Sequence, residues 1–108
     1  MNKTNIGRAT EWFEVLQTTE RSQTAMMTLL AGKSTGEKAE AHKTSDQVLL
    51  LLGGRLSGEI DGKRTSLRRG DIVVISAGAK HRFTNKGSTP AVTFNVYSPP
   101  AYPRGTKR

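Results

Sequence analysis

The stretch Gly70-Asp-Ile-Val-Val-Ile-Ser76-Ala-Gly78-Ala-Lys-His81-Arg-Phe-Thr-Asn85 decides how this chain of 108 residues is read. Residues 72–75 are a continuous β-branched run of strand length, bounded by the turn residues Gly70-Asp71 and Ala77-Gly78. That run predicts a buried strand. Residues 81–84 begin another strand directly after the turn, so one of only two histidines stands where a strand opens.

The other histidine lies in a stretch that answers the first, Glu40-Ala-His42-Lys-Thr-Ser-Asp-Gln47-Val-Leu-Leu-Leu-Leu-Gly-Gly54. Glu40 and His42 are two apart, so on an extended segment they point the same way. Gln47 begins the next strand after a tight polar loop. Pairing of these strands with the one that carries His81 brings together a carboxylate, two imidazoles and an amide oxygen. Nitrogen and oxygen donors of this kind suit one divalent ion such as Fe(II), Mn(II), Ni(II), Co(II) or Zn(II), with the remaining positions left to water or substrate. Two histidines in a basic chain are accounted for equally by solvent exposure or structural hydrogen bonds, and spacing alone leaves both readings open.

Outward from these stretches the chain reads as short strands. Residues 12–18 and 23–30 are the first two, with Thr24, Met26, Thr28 and Leu30 on one face of the second and Ala25, Met27 and Leu29 on the other. Residues 55–60 and 63–67 flank Asp61-Gly62, a strong hairpin signal because a type I′ turn needs positive φ at both central positions. Residues 91–97 alternate Val92, Phe94 and Val96 against Thr93, Asn95 and Tyr97. Turns recur every eight to twelve residues with no evident helix. This predicts an all-β sandwich or barrel.

Length allows one domain with a modest core. The absence of cysteine excludes disulfide scaffolds and thiolate metal sites. Residues 1–8 contain no apolar signal segment, and the longest apolar run, residues 48–52, is too short to cross a bilayer; the expectation is a soluble cytoplasmic protein with no membrane partner. Lysine and arginine outnumber aspartate and glutamate 17 to 9. A solvated basic surface accounts for this, as does attraction of a small anionic molecule. Nucleic acid is not expected as a partner, because the basic residues are scattered and no recognition helix or aromatic platform accompanies them. Gly32-Lys33-Ser34 lacks the preceding glycine and following helix of a phosphate loop.

The two histidine stretches resemble the paired motifs of a small single-domain cupin, of the kind often described as mannose-6-phosphate isomerase-like. Gly70, Gly78, His81 and Asn85 fit the second cupin motif at every spacing, with Ser76 in place of proline. His42, Gln47 and Gly54 fit the end of the first motif; Glu40 stands where that motif has its first histidine, Gln47 where it has glutamate, and Ser34 where it has the leading glycine. The resemblance implies a double-stranded β-helix, or jelly-roll, barrel over residues 11–98, preceded by a flexible segment at 1–10 and followed by a Pro-rich arm and basic tail at 99–108. It further implies one divalent metal ion held by Glu40, His42, Gln47 and His81, a small-molecule ligand or substrate, and frequently a homodimer, to which the first strand or the Pro-rich arm could cross. A metalloenzyme of isomerase or dioxygenase type and a metal-free binding or sensing barrel are both expected outcomes of this set. Tyr97 is the candidate proton donor, although a tyrosine packed at a strand end serves equally well as core. Gly54, Gly70 and Gly78 are read as turn glycines, and Asn85 as a side chain that anchors its own turn.

Overall fold

The computed structural model describes residues 1–108 as eight β-strands and a single 3-10 turn, Ile6–Arg8. The strands are β1 (Phe13–Thr18), β2 (Gln23–Leu29), β3 (Asp46–Gly53), β4 (Arg55–Ile60), β5 (Lys63–Arg68), β6 (Ile72–Ile75), β7 (His81–Thr84) and β8 (Ala91–Ser98). They form two antiparallel sheets, ordered β1-β2-β8-β3-β6 and β5-β4-β7. The expected all-β jelly roll is the observed architecture. Residues 33–40 run beside β7 as an irregular further strand, with bridges at Ser34–Thr84 and Glu40–His81 and a bond from the Thr35 N–H to the Phe83 carbonyl at 2.9 Å.

The core fills the space between the sheets: Leu49, Leu51 and Ile75 from the larger sheet meet Leu56, Leu67 and Phe83 from the smaller. Turn chemistry sets the register around it. Asp61 and Gly62 both have positive φ, 49° and 77°, and close the β4–β5 hairpin in the predicted way. Gly54, at φ 77°, has no room for a side chain, because a Cβ there would run into the Pro90 carbonyl. Asn85 is fully buried. Its amide nitrogen donates to the carbonyls of Leu29 and Thr89, and its oxygen accepts from the Gly87 N–H, all within 2.9 Å. One side chain thus ties the end of β2 to the turn before β8.

The expected burial of residues 72–75 on both sides is corrected. Residues 72–75 do form a strand, but it lies at the edge of the larger sheet, and Ile72 and Val74 are 65% and 61% exposed. The β-branched run predicts an apolar environment on both sides; only Val73 and Ile75 face this chain's core, and no layer of this chain covers the other face. In β8 the polar set Thr93, Asn95 and Tyr97 points inward and is buried, while Val92, Phe94 and Val96 point outward and are half-covered. This inverts the usual rule that the apolar side of a strand faces in.

Residues 99–108 return along the free edge of β1, where the Val15 N–H bonds the Thr106 carbonyl and the Arg108 N–H bonds the Phe13 carbonyl, both at 2.9 Å. The buried Gln23 side chain clamps the arm, accepting from the N–H groups of Ala101 and Tyr102 and donating to the Tyr102 carbonyl. Pairing with the chain's own arm satisfies an edge that would otherwise be open to other strands. Residues 1–10 lie on the surface, held through Asn2 by Gln17 and through Thr10 by the Glu14 carboxylate.

Candidate functional site

A cavity of about 250 Å³ opens between the sheets and is lined by Glu40, His42, Gln47 and His81, together with Tyr97, Tyr102, Lys38 and Arg108. All four residues expected from the sequence therefore border one space. The local chain explains why. His81 opens β7, and its backbone exchanges two hydrogen bonds with Glu40 at 3.0 and 2.8 Å, so the two side chains leave the same face of the pair. The His42 carbonyl accepts from the Gly78 N–H at 2.7 Å, which fastens the loop before β3 to the turn before β7. The two imidazole rings lie 5.2 Å apart between centroids.

His81 Nδ1 lies 3.1 Å from the Ala79 carbonyl. Since a carbonyl only accepts, Nδ1 carries the proton there, and Nε2 is the ring nitrogen left uncommitted. Burial, and then the neighbouring His81, push the His42 imidazole below its ordinary value of 6.5, against smaller opposite effects of the Gln47 amide and the Glu40 carboxylate. His42 is thus neutral at physiological pH, the form a metal or a hydrogen-bond donor requires.

Gln47 is buried, and its Nε2 donates to Asn95 Oδ1 at 3.0 Å. Its oxygen, Oε1, is buried near the His42 ring, whose charged form it favours, and completes no hydrogen bond within the protein. Leaving such an acceptor unpaired costs about 1–3 kcal/mol. A cation in the cavity, or a donor on a ligand, removes that cost. An orphaned oxygen beside two imidazoles fits a divalent ion of borderline hardness. Glu40 lines the same cavity, but no cluster of three or more His, Asp or Glu side chains is assembled. The two imidazoles, the amide oxygen and the carboxylate thus share one cavity without forming a preassembled cluster.

The opposite wall is aromatic. Tyr97 and Tyr102 meet edge to face at 5.2 Å, and each also lies edge-on to His42, at 5.1 and 5.5 Å. Burial pushes the Tyr97 phenol far above its ordinary range, and the adjacent Tyr102 adds to this. Burial also raises Tyr102, offset in part by the Tyr97 hydroxyl and the Arg108 guanidinium. Both phenols therefore stay protonated at neutral pH and serve as donors. Arg108 lies over the rings of Tyr102 and Phe13 at 5.4 and 5.9 Å, within the range of a cation–π contact. The one ion pair of the molecule is Lys107–Glu14, so neither Arg108 nor Lys38 is neutralised by a carboxylate.

Sequence reasoning does not reach Tyr102 and Arg108. They come from the returning arm, and no spacing relates them to His42 or His81. The only available signal is a pair of aromatic and basic residues following a Pro-rich segment.

A double-stranded β-helix with a polar cavity between its sheets, entered by residues from two His-bearing stretches, defines the cupin class. The model of the Cupin domain family matches residues 25–97, and the chain belongs to that family. Among solved structures it is similar to BH2720 from Bacillus halodurans, at 25% identity and a TM-score of 0.87 over 94% of this chain and 80% of that one. It is also similar to TT1209 from Thermus thermophilus, at 24% identity and a TM-score of 0.79 over 92% of this chain and 98% of that one. Among curated proteins it is 34% identical over 56 residues to the tetracenomycin polyketide synthase protein TcmJ of Streptomyces glaucescens. That match covers 51% of this chain and 38% of TcmJ.

Proposed function

We propose that the cavity binds one divalent metal ion through His42, His81, the Gln47 oxygen and Glu40, and that it takes a small anionic organic molecule. The observation that carries this reading is the orphaned Gln47 Oε1, buried beside the neutral His42. When bound, the ion supplies a Lewis acid able to polarise a carbonyl or hydroxyl oxygen, as isomerisation or dioxygenation requires. The chain's own groups do the rest. His81, a cavity-lining residue, is held through Nδ1 by the Ala79 carbonyl, which leaves Nε2 uncommitted. Arg108 and Lys38 provide unneutralised positive charge at the cavity. Tyr102, half-buried and protonated, is placed to donate a proton or hydrogen bond, and the deeply buried Tyr97 packs behind it. The matched part of TcmJ supports a small-molecule role in general terms and says nothing of this chain's substrate.

A second reading rests on the lack of a three-membered His and carboxylate cluster: a binding or sensing barrel in which Gln47, His42 and the tyrosines hold a ligand by hydrogen bonds alone. Saturation-transfer NMR with a panel of small carboxylic acids separates the two. The metal reading predicts binding that strengthens at least about tenfold when Co(II) or Mn(II) is added and weakens in Arg108→Ala. Equal binding with chelator present supports the metal-free barrel.

A further inference from the structure

The orphaned oxygen of Gln47 is not an accident of rotamer, because a buried chain of hydrogen bonds dictates which end of the amide faces the cavity. Thr93 and Asn95 are both 0% exposed. The Thr93 hydroxyl lies 3.0 Å from the Met27 carbonyl, its partner across the β2–β8 ladder. A carbonyl can only accept, so the single hydroxyl hydrogen is committed there. Thr93 Oγ1 is then left as an acceptor toward Asn95, whose Nδ2 lies at 2.9 Å. Asn95 must therefore turn its Oδ1 toward Gln47, and Gln47 must answer with Nε2, at 3.0 Å. No link can reverse alone without setting two donors or two acceptors against each other, and the first link is anchored to backbone.

We infer that Thr93 and Asn95 are positioning residues, which lock the Gln47 amide with its oxygen toward the cavity and its NH2 away. A reversed Gln47 would present hydrogens to the ion and repel it. This also gives a reason for the inward polar face of β8. The inference rests on the metal reading above for its consequence, but the orientation itself does not.

The test uses Thr93→Val, which removes the hydroxyl with little change of shape, and Thr93→Ser, which restores it. Apparent Co(II) affinity of the chelator-treated protein is measured by calorimetry, in the wild-type and the Gln47→Glu backgrounds. Solvent exchange of the Gln47 side-chain NH2 is followed by NMR in the metal-free protein. Supporting outcomes agree across the set: Thr93→Val weakens Co(II) binding about 10- to 100-fold, the usual range for loss of a ligand's orienting partner; Thr93→Ser stays within about twofold; and in the Gln47→Glu background, where an oxygen faces the cavity whichever way Asn95 turns, Thr93→Val causes no loss of affinity. Gln47 NH2 exchange is slow in the wild type and accelerates in Thr93→Val. A folded Thr93→Val protein that binds Co(II) as the wild type does, or that loses affinity equally in the Gln47→Glu background, overturns the inference. Absence of Co(II) binding by the wild type would defeat the metal reading only; the exchange measurement then decides the orientation by itself, and equal exchange in wild type and Thr93→Val overturns it.

Discussion

His42 carries the acid–base behaviour of the site. Its folded-state value lies below 6.5 because burial and His81 oppose its charged form. In the unfolded chain it titrates near its ordinary value, about 6.5. As pH falls from neutral, the unfolded state therefore takes up this proton first. The associated stability is fully present above about pH 6.5 and is lost as pH drops through the lowered folded value. Urea midpoints between about pH 7.5 and about pH 5 are expected to fall, and His42→Gln to remove part of that fall; an unchanged slope in the variant would refute the assignment. The histidines, Gln47 and Glu40 are legible in the sequence because strand openings and two-residue spacing fix where such side chains point. Thr93, Asn95 and Tyr102 are not legible as cavity residues. Alternation in β8 identifies two faces but not which one is inside, and the inward face here is the polar one.

Strands are readable to within a residue or so, because Gly, Pro and Asp-Gly punctuation stops them for steric reasons. What local sequence does not carry is how far each strand lies from the sheet edge, so the β-branched run at 72–75 reads as covered on both sides although β6 has a neighbour only in β3. Asn85 shows the opposite case, a turn anchor expected from its place in the second motif and found making three buried or partly buried bonds. Asn85→Ala leaves the Leu29 and Thr89 carbonyls without those partners and is expected to destabilise the fold by about 2–4 kcal/mol, read from urea unfolding. A loss below about 0.5 kcal/mol would mean the turn holds without it.

The outward face of the larger sheet concerns the whole molecule. Val48, Leu50, Ile72, Val74, Val92, Phe94 and Val96 share it, with Asp46 at one end of the strip. On a chain of net charge +8, an apolar strip free of basic side chains is where two copies can approach without positive charges meeting, and we propose that a second copy covers it through a two-fold contact. Light scattering at micromolar concentration is expected to give a dimer, and Val74→Lys a folded monomer; a monomeric wild type would contradict this. No helix is long and apolar enough to cross a membrane. The metal site is the claim on which the functional reading turns, and metal content by plasma mass spectrometry of untagged protein, beside His42→Ala and His81→Ala, tests it. Near-stoichiometric divalent metal in the wild type, lost from both folded variants, is the predicted result. No bound metal, even after reconstitution with Fe(II), Mn(II), Ni(II), Co(II) and Zn(II), would contradict it and leave a barrel that binds its ligand by hydrogen bonds and charge alone.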